Sequence, residues 1–221
     1  MSPLDSPALR AKKAGRRGDS RPGLRADLQL IADMIEPSSR VLDVGCGDGQ
    51  LLHYLVEEKH VVGRGLELSQ EGVNAMVSNG LSVVQGDADT DLIDFPDRAF
   101  DYVVLSQTLQ ATRDPRFVME QLVRIGRRAI VSFPNFGYWR VRLRLLFGGR
   151  MPVTESLPDR WFETPNIHLC TLLDFLELCR ACGISVERGL TLDKRGEAQS
   201  ITGRPRANLL ATDGLFVLSQ G

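Results

Sequence analysis

Three carboxylates and three glycines stand in this chain where they could hold a small ligand. The glycines are Gly45, Gly47 and Gly49, within Val41-Leu42-Asp43-Val44-Gly45-Cys46-Gly47-Asp48-Gly49. A short apolar run carrying an acid breaks there into a tight turn, and a helical pattern starts at Gln50-Leu51-Leu52. Glycine lets backbone approach a ligand where a Cβ would clash. The helix start offers unpaired N–H groups and the positive end of its dipole. The carboxylates are Asp43 in that run, Glu67 at the end of the next apolar segment, and Asp87 in the turn after a third.

Each carboxylate suits a different part of one ligand. Glu67 can accept two hydrogen bonds from a ribose diol, and Asp87 can accept from an adenine amino group. Asp43 precedes the glycine turn, where a ligand ammonium could sit. Taken singly, each acid is equally a turn cap or a solvated strand end; their order and spacing point to the ligand. The glycine spacing is wrong for two common nucleotide turns. A dinucleotide turn wants Gly-x-Gly-x-x-Gly, and the last position here is Gln50. A P-loop needs Gly-Lys-Ser/Thr, and Gly49 is followed by Gln50-Leu51. Three acids with no cation near them in sequence disfavour a pyrophosphate. They suit an adenosine bearing a cationic amino acid, which is S-adenosylmethionine (SAM).

The elements that must position these groups alternate. Apolar runs predict strands over 40–44, 61–68, 81–85, 100–106 and 129–133. Helical spacing lies between them: Leu24, Leu28, Ile31 and Ile35 before the first strand, then about 48–58, 69–80 and 115–125. Ser69 reads as one N-cap, and Asp114-Pro115 as another with proline at the first helical position. After the fifth strand come a proline- and aromatic-rich stretch over 134–170, a helix near 171–182, and two strands over 184–188 and 208–219. Residues 192–207 read as a loop. Short links between alternating strands and helices predict a doubly wound α/β domain with a mostly parallel sheet. The last two strands, with no helix between them, predict an antiparallel edge.

The chain has 221 residues, 43% of them hydrophobic, and a net charge of −1, which suits one domain and signals neither nucleic acid nor anionic membrane as a partner. Residues 1–23 are basic, contain Pro3, Pro7 and Pro22, and lack apolar periodicity, so they read as a disordered tail ahead of one domain over 24–221. The prolines and acids there spoil the amphipathic helix of a transit peptide. No apolar run approaches the ~20 residues of a membrane span, and no signal-peptide core is visible, which predicts a cytoplasmic protein. Cys46, Cys170, Cys179 and Cys182 are too few for a disulfide framework. His168, Cys170, Cys179 and Cys182 could be drawn as a metal quartet. The helical pattern of 172–179 instead reads Cys179 and Cys182 as small core hydrophobes, and no metal is expected.

The segments 41–49, Gly65-Leu66-Glu67-Leu68-Ser69, Gly86-Asp87-Ala88-Asp89 and Phe100 to Gln110 together resemble SAM-dependent methyltransferases with a Rossmann-like seven-stranded sheet. That resemblance implies a binding set of Asp43, Gly45, Cys46, Gly47, Glu67, Leu68, Asp87, Ala88, Ser106 and Gln107. Gly45, Gly47 and Gln107 then face the methionine end, Glu67 the ribose, and Asp87 with Ala88 the adenine. A narrower resemblance begins at Ser132-Phe133-Pro134-Asn135-Phe136-Gly137-Tyr138-Trp139-Arg140. It continues through Gly149-Arg150-Met151-Pro152-Val153-Thr154 and through Trp161-Phe162-Glu163-Thr164-Pro165-Asn166-Ile167-His168. This run is similar to the MetW family of methionine biosynthesis proteins. The family resemblance implies a SAM- or S-adenosylhomocysteine-binding chain that partners and activates a homoserine O-acyltransferase. The alternative is an active methyltransferase on a small molecule.

No residue declares itself catalytic. Methyl transfer from a sulfonium needs little beyond alignment, and oxygen or nitrogen acceptors often want a base. Ser106-Gln107-Thr108-Leu109 stands where an amine-acceptor motif of Asn/Asp-Pro-Pro-Tyr type would be, and His168 is a lone candidate base. The 134–170 stretch is expected as an insertion over the ligand end of the sheet. As a helix, 139–147 places Trp139, Leu143, Leu146 and Phe147 on one stripe and Arg140 with Arg144 on a neighbouring face. Those residue types are enriched in protein interfaces, while a stripe packed onto the sheet is the alternative.

Overall fold

The computed structural model describes residues 24–154, 157–193, 195–201 and 204–221; the basic tail over 1–23 lies outside them. Helix α1 (Ala26–Met34) precedes β1 (Arg40–Val44), α2 (Gln50–Lys59), β2 (Val62–Glu67), α3 (Gln70–Ser78) and β3 (Val83–Gln85). A 3₁₀ turn (Asp91–Asp94) leads to β4 (Phe100–Ser106), and a second (Leu109–Ala111) leads to α4 (Pro115–Ile125) and β5 (Gly126–Pro134). Then follow α5 (Trp139–Gly148), α6 (Leu172–Ala181), β6 (Ile184–Leu192), β7 (Ala198–Ser200), α7 (Arg204–Leu210) and β8 (Asp213–Gln220).

The strands form one sheet in the order β3-β2-β1-β4-β5-β8-β6-β7. The first five pair in parallel, and β8 runs antiparallel between β5 and β6. The sheet therefore has eight strands where the sequence suggested seven. The added strand is β7, three residues paired antiparallel with β6 at the edge. The strand order turns back between β1 and β4, and the glycine turn leaves the end of β1 there. In open α/β sheets such a switch point leaves a crevice at the carboxyl ends of the strands.

Side-chain alternation along the strands builds a core on each face of the sheet. Leu42, Val44, Val103, Leu105, Val131 and Phe133 pack with Val118 and Leu122 of α4 and with Phe175 of α6. Val41, Tyr102, Val104 and Ile130 pack with Ile31 of α1, with Leu51 and Leu55 of α2 and with Met76 of α3. The same parity gives Asp43 the second face, where it is 3% exposed. Cys179 is buried in the first core. Phe133, Phe175 and Phe216 form a ring cluster with centroids 4.5–5.8 Å apart.

Local signals act as the sequence suggested. Ser69 Oγ accepts from the Gly72 N–H, and Asp114 Oδ1 from the Phe117 N–H. Thr171 and Asp174 close a capping box at the start of α6. The exception is 192–212, read as a loop running into a strand from 208. The structure has β7 and α7 there, and β8 begins only at Asp213. The buried Asn135 decides this: its Nδ2 donates to the carbonyls of Asn208 and Ala211 and secures the end of α7. Its Oδ1 accepts from Gly137 and Leu172. One side chain thus ties the end of β5 to the start of α6 and the end of α7.

Candidate functional site

The turn after β1 is left-handed at all three glycines, with φ of +69°, +57° and +80° at Gly45, Gly47 and Gly49. A Cβ at Gly45 would lie 2.6 Å from Thr108 Oγ1, and one at Gly49 would strike Leu81 and Met76. At Gly47 a Cβ would meet nothing within 4 Å, so the backbone there borders open space. Glu67 clamps the turn from the end of β2. Its Oε2 accepts from the Gly47 N–H at 2.8 Å and its Oε1 from the Ser69 N–H at 2.9 Å. Each oxygen keeps acceptor capacity beyond that one bond.

Asp43 lies beside this clamp and accepts no hydrogen bond from a described side chain or backbone group. Burial, with the charge of Glu67 adding to it, pushes its carboxyl up to about 7. Removal from water disfavours the ionised form, and a neighbouring anion disfavours it further. A cation placed near both acids reverses the two effects. The Cys46 Sγ packs 2.9 Å from Met76 Sδ, and burial pushes the thiol up. Ser106 packs on Ser132, with its Oγ 3.1 Å from Ser132 Oγ.

A cleft of about 630 Å³ opens at these strand ends, and Gly45, Glu67, Leu68, Asp87 and Ala88 line it. Half of the sequence-derived set thus meets in one space. Asp89, Thr108, Thr112 and Arg113 also line it, and sequence reading missed them. Arg113 also corrects the electrostatics. Its guanidinium bonds Asp87 and lies 3.3 Å from Asp89, while its backbone N–H donates to Asp89 at 2.9 Å. The acids at this end therefore do have a cation, brought from more than twenty residues downstream. Asp89 is held below the usual carboxylate range; its burial opposes this, and the two backbone N–H groups and Arg113 outweigh it. The available signal was Asp89 itself, the last residue of Gly-Asp-Ala-Asp, facing an arginine just before the proline-started α4.

Gln107 leaves the end of β4 in a left-handed conformation, φ +54°. For a non-glycine residue this costs about 1–2 kcal/mol, and the surroundings hold it. Its N–H donates to Ser132 O, its Nε2 to Asp213 Oδ1 at 3.2 Å, and its carbonyl accepts from Gln110 Nε2 at 2.7 Å. The side chain lines a second cavity of about 600 Å³, formed with Arg140 and Arg144 of α5 and Asp213 of β8. His168 lines neither space; its Nε2 is 3.4 Å from the Arg113 carbonyl. The Gln110 carbonyl accepts from the N–H groups of Ile167 and His168, which ties the 134–170 segment to the 3₁₀ turn that follows β4. The stripe on α5 does not pack on the sheet: Leu146 and Phe147 are 73% and 81% exposed, and Val141 is the buried residue of that helix. Among the described residues no group of three or more His, Cys, Asp or Glu is placed to hold a metal, and no helix is long and apolar enough to cross a membrane.

The sequence matches the family described as Methionine biosynthesis protein MetW over residues 25–218. A bifunctional methionine biosynthesis protein MetXA/MetW from Rhodopirellula baltica is 34% identical over 179 residues, covering 77% of this chain and 29% of that protein. The chain thus corresponds to under a third of that relative. Among solved structures, a SAM-dependent methyltransferase from Thermotoga maritima, described as a possible histamine N-methyltransferase, superposes with a TM-score of 0.65. The two share 17% identity over 89% of this chain and 88% of that one. An S-adenosylmethionine-dependent methyltransferase from Mesorhizobium loti gives 0.63 at 18% identity, over 88% and 97% of the chains. These likenesses establish the methyltransferase fold.

Proposed function

The chain belongs to the MetW family of methionine biosynthesis proteins, and from that premise we propose that it binds SAM or S-adenosylhomocysteine and serves, in the cytoplasm, as partner and activator of a homoserine O-acyltransferase. The observation that carries the partner role is the relative in which MetXA and MetW form one polypeptide. A fusion keeps two proteins together at a high effective concentration. Separate chains need a contact surface for the same end, and the exposed apolar stripe of α5 supplies one.

The residues present fit the adenosyl ligand. Glu67 has acceptor capacity left for ribose hydroxyls, Asp87 and Ala88 border the place for adenine, and Gly47 leaves backbone room. Asp43, buried without a donor, favours a nearby ammonium. When bound, SAM presents a methyl group activated by its sulfonium. Co-expression with a homoserine O-acyltransferase, followed by pull-down and acyltransferase assay with and without this chain, tests the partner role. No complex and no change in activity would sink it. Calorimetry with SAM should show binding to the parent chain and at least about tenfold weaker binding to Glu67→Ala.

A second reading is methyl transfer to a small molecule, favoured by the polar cavity that opens beside Gln107. Methyl-labelled SAM incubated with cell extract discriminates between the two. Label appearing in one discrete product over many turnovers selects methyl transfer, and its absence removes that reading.

A further inference from the structure

The second cavity shares no lining residue with the adenosyl cleft, yet Gln107 lines one and the adjacent Thr108 the other. Its volume of about 600 Å³ lies inside the usual range for metabolite sites, about 300–1,000 Å³. Its walls differ in charge. Arg140 and Arg144 sit one turn apart on α5, so both guanidiniums share a face. Arg140 stacks over the Trp139 ring at 5.3 Å, and Arg144 donates to the Val153 carbonyl. Neither forms a salt bridge with an acid among the described residues. Both guanidiniums carry forked donors suited to a carboxylate.

The rest of the lining carries acceptors, Asp213, Asp193 and Asp27 among them. Asp213 takes one bond from Gln107 Nε2. Arg25 also lines the cavity, but its charge is paired with Asp27, to which its Nε and one Nη donate at 3.1 and 2.9 Å. Gln110, 6% exposed, lines the cavity, and its Oε1 lies buried without a donor among the described residues. A buried acceptor left unmet costs about 1–3 kcal/mol, and an N–H or O–H of a ligand is a group that could meet it after a small side-chain adjustment. Burial holds Asp213 above the ordinary carboxylate range, and a ligand cation relieves that cost.

We propose that this cavity binds a small α-amino acid, its carboxylate on Arg140 and Arg144 and its amino group toward Asp213, next to the occupied adenosyl cleft. The position beside the cofactor rests on the SAM reading; the binding itself is testable without it. Norleucine, hexanoate and hexylamine present both charged groups, the carboxylate alone and the amine alone on closely similar hydrocarbon chains. In calorimetry on the full chain saturated with S-adenosylhomocysteine, norleucine should bind with Kd of about 1 mM or tighter, and each of the others about tenfold weaker. The double variant Arg140→Ala/Arg144→Ala should lose norleucine and hexanoate binding by about tenfold or more and leave hexylamine unchanged. Asp213→Asn should weaken norleucine and hexylamine and spare hexanoate. Both arginines are on the surface, so thermal unfolding of the double variant should match the parent and exclude misfolding. The proposal is overturned by absent norleucine binding, by equal affinity for hexanoate, or by an unchanged Kd in the double variant. Competition between norleucine and S-adenosylhomocysteine also overturns it, because the cavity is then the methionine end of the adenosyl site. If S-adenosylhomocysteine does not bind at all, the SAM reading fails by itself, and the same titrations on the ligand-free chain still decide the amino-acid site.

Discussion

Asp43→Asn should unfold at a higher urea concentration than the parent chain at pH 8 and at nearly the same concentration at pH 4. The folded chain buries the Asp43 carboxyl beside Glu67 and pushes it up to about 7; in the unfolded chain it titrates near ~3.9. Between those values the folded state keeps a proton that the unfolded state has released. Stability of the parent therefore falls as pH rises, by about 1.4 kcal/mol per unit at most. Above pH 7 both states are ionised and the loss is complete. A shift of about three units sets a ceiling of about 4 kcal/mol. Asparagine is nearly isosteric and does not ionise, so the difference between variant and parent should grow from near zero at pH 4 to about 2–4 kcal/mol at pH 8. Urea unfolding followed by circular dichroism at half-unit pH steps measures it, and subtraction cancels the other titrating groups. A difference curve that is flat, or that falls with pH, refutes the reasoning. Saturating SAM supplies an ammonium and should shift the midpoint of the curve below 7.

The glycine turn makes a graded prediction. Gly45→Ala combines a left-handed φ with a 2.6 Å approach to Thr108 and should cost about 2–4 kcal/mol in urea unfolding. Gly47→Ala has the left-handed φ alone and should cost about 1–2 kcal/mol; equal losses contradict the geometry. Arg113→Ala removes an exposed ion pair, so stability should change by less than about 1 kcal/mol. Release of Asp87 should meanwhile weaken S-adenosylhomocysteine binding about three- to tenfold in calorimetry; unchanged affinity argues against a role for Arg113 at the adenine end. Phe147→Asp should leave the melting temperature unchanged, because the side chain is 81% exposed, and should weaken capture of the acyltransferase about tenfold. Undiminished capture removes α5 from the contact.

The parallel half of the fold was legible because its signals are local. The strand at 40–44, the caps Ser69 and Asp114, and the glycine turn each declare themselves within a few residues, and the structure places all of them as read. The stretch over 192–212 was not legible, because α7 is held by Asn135, more than seventy residues away. A buried polar side chain just past the end of β5 carries no local mark of the two carbonyls it will bind.

The candidate site divides in the same way. Asp43, Gly45, Glu67 and Asp87 follow from residue type and spacing, because a strand–turn–helix repeat delivers every strand end to one edge of the sheet. Arg113, Gln110 and Asp213 do not, because their neighbours come from separate turns of the chain. The sequence by itself determined that a turn of three glycines, preceded by an acid, follows the apolar run of β1. Only the tertiary structure decided what surrounds it. Folding set Arg113 against Asp87, packed Cys46 on Met76 and Ser106 on Ser132, and brought Arg140, Arg144 and Asp213 to one cavity. The physical reason is range. Backbone conformation answers to adjacent residues, whereas pairing and burial of charge depend on which distant segments share a volume from which water is excluded.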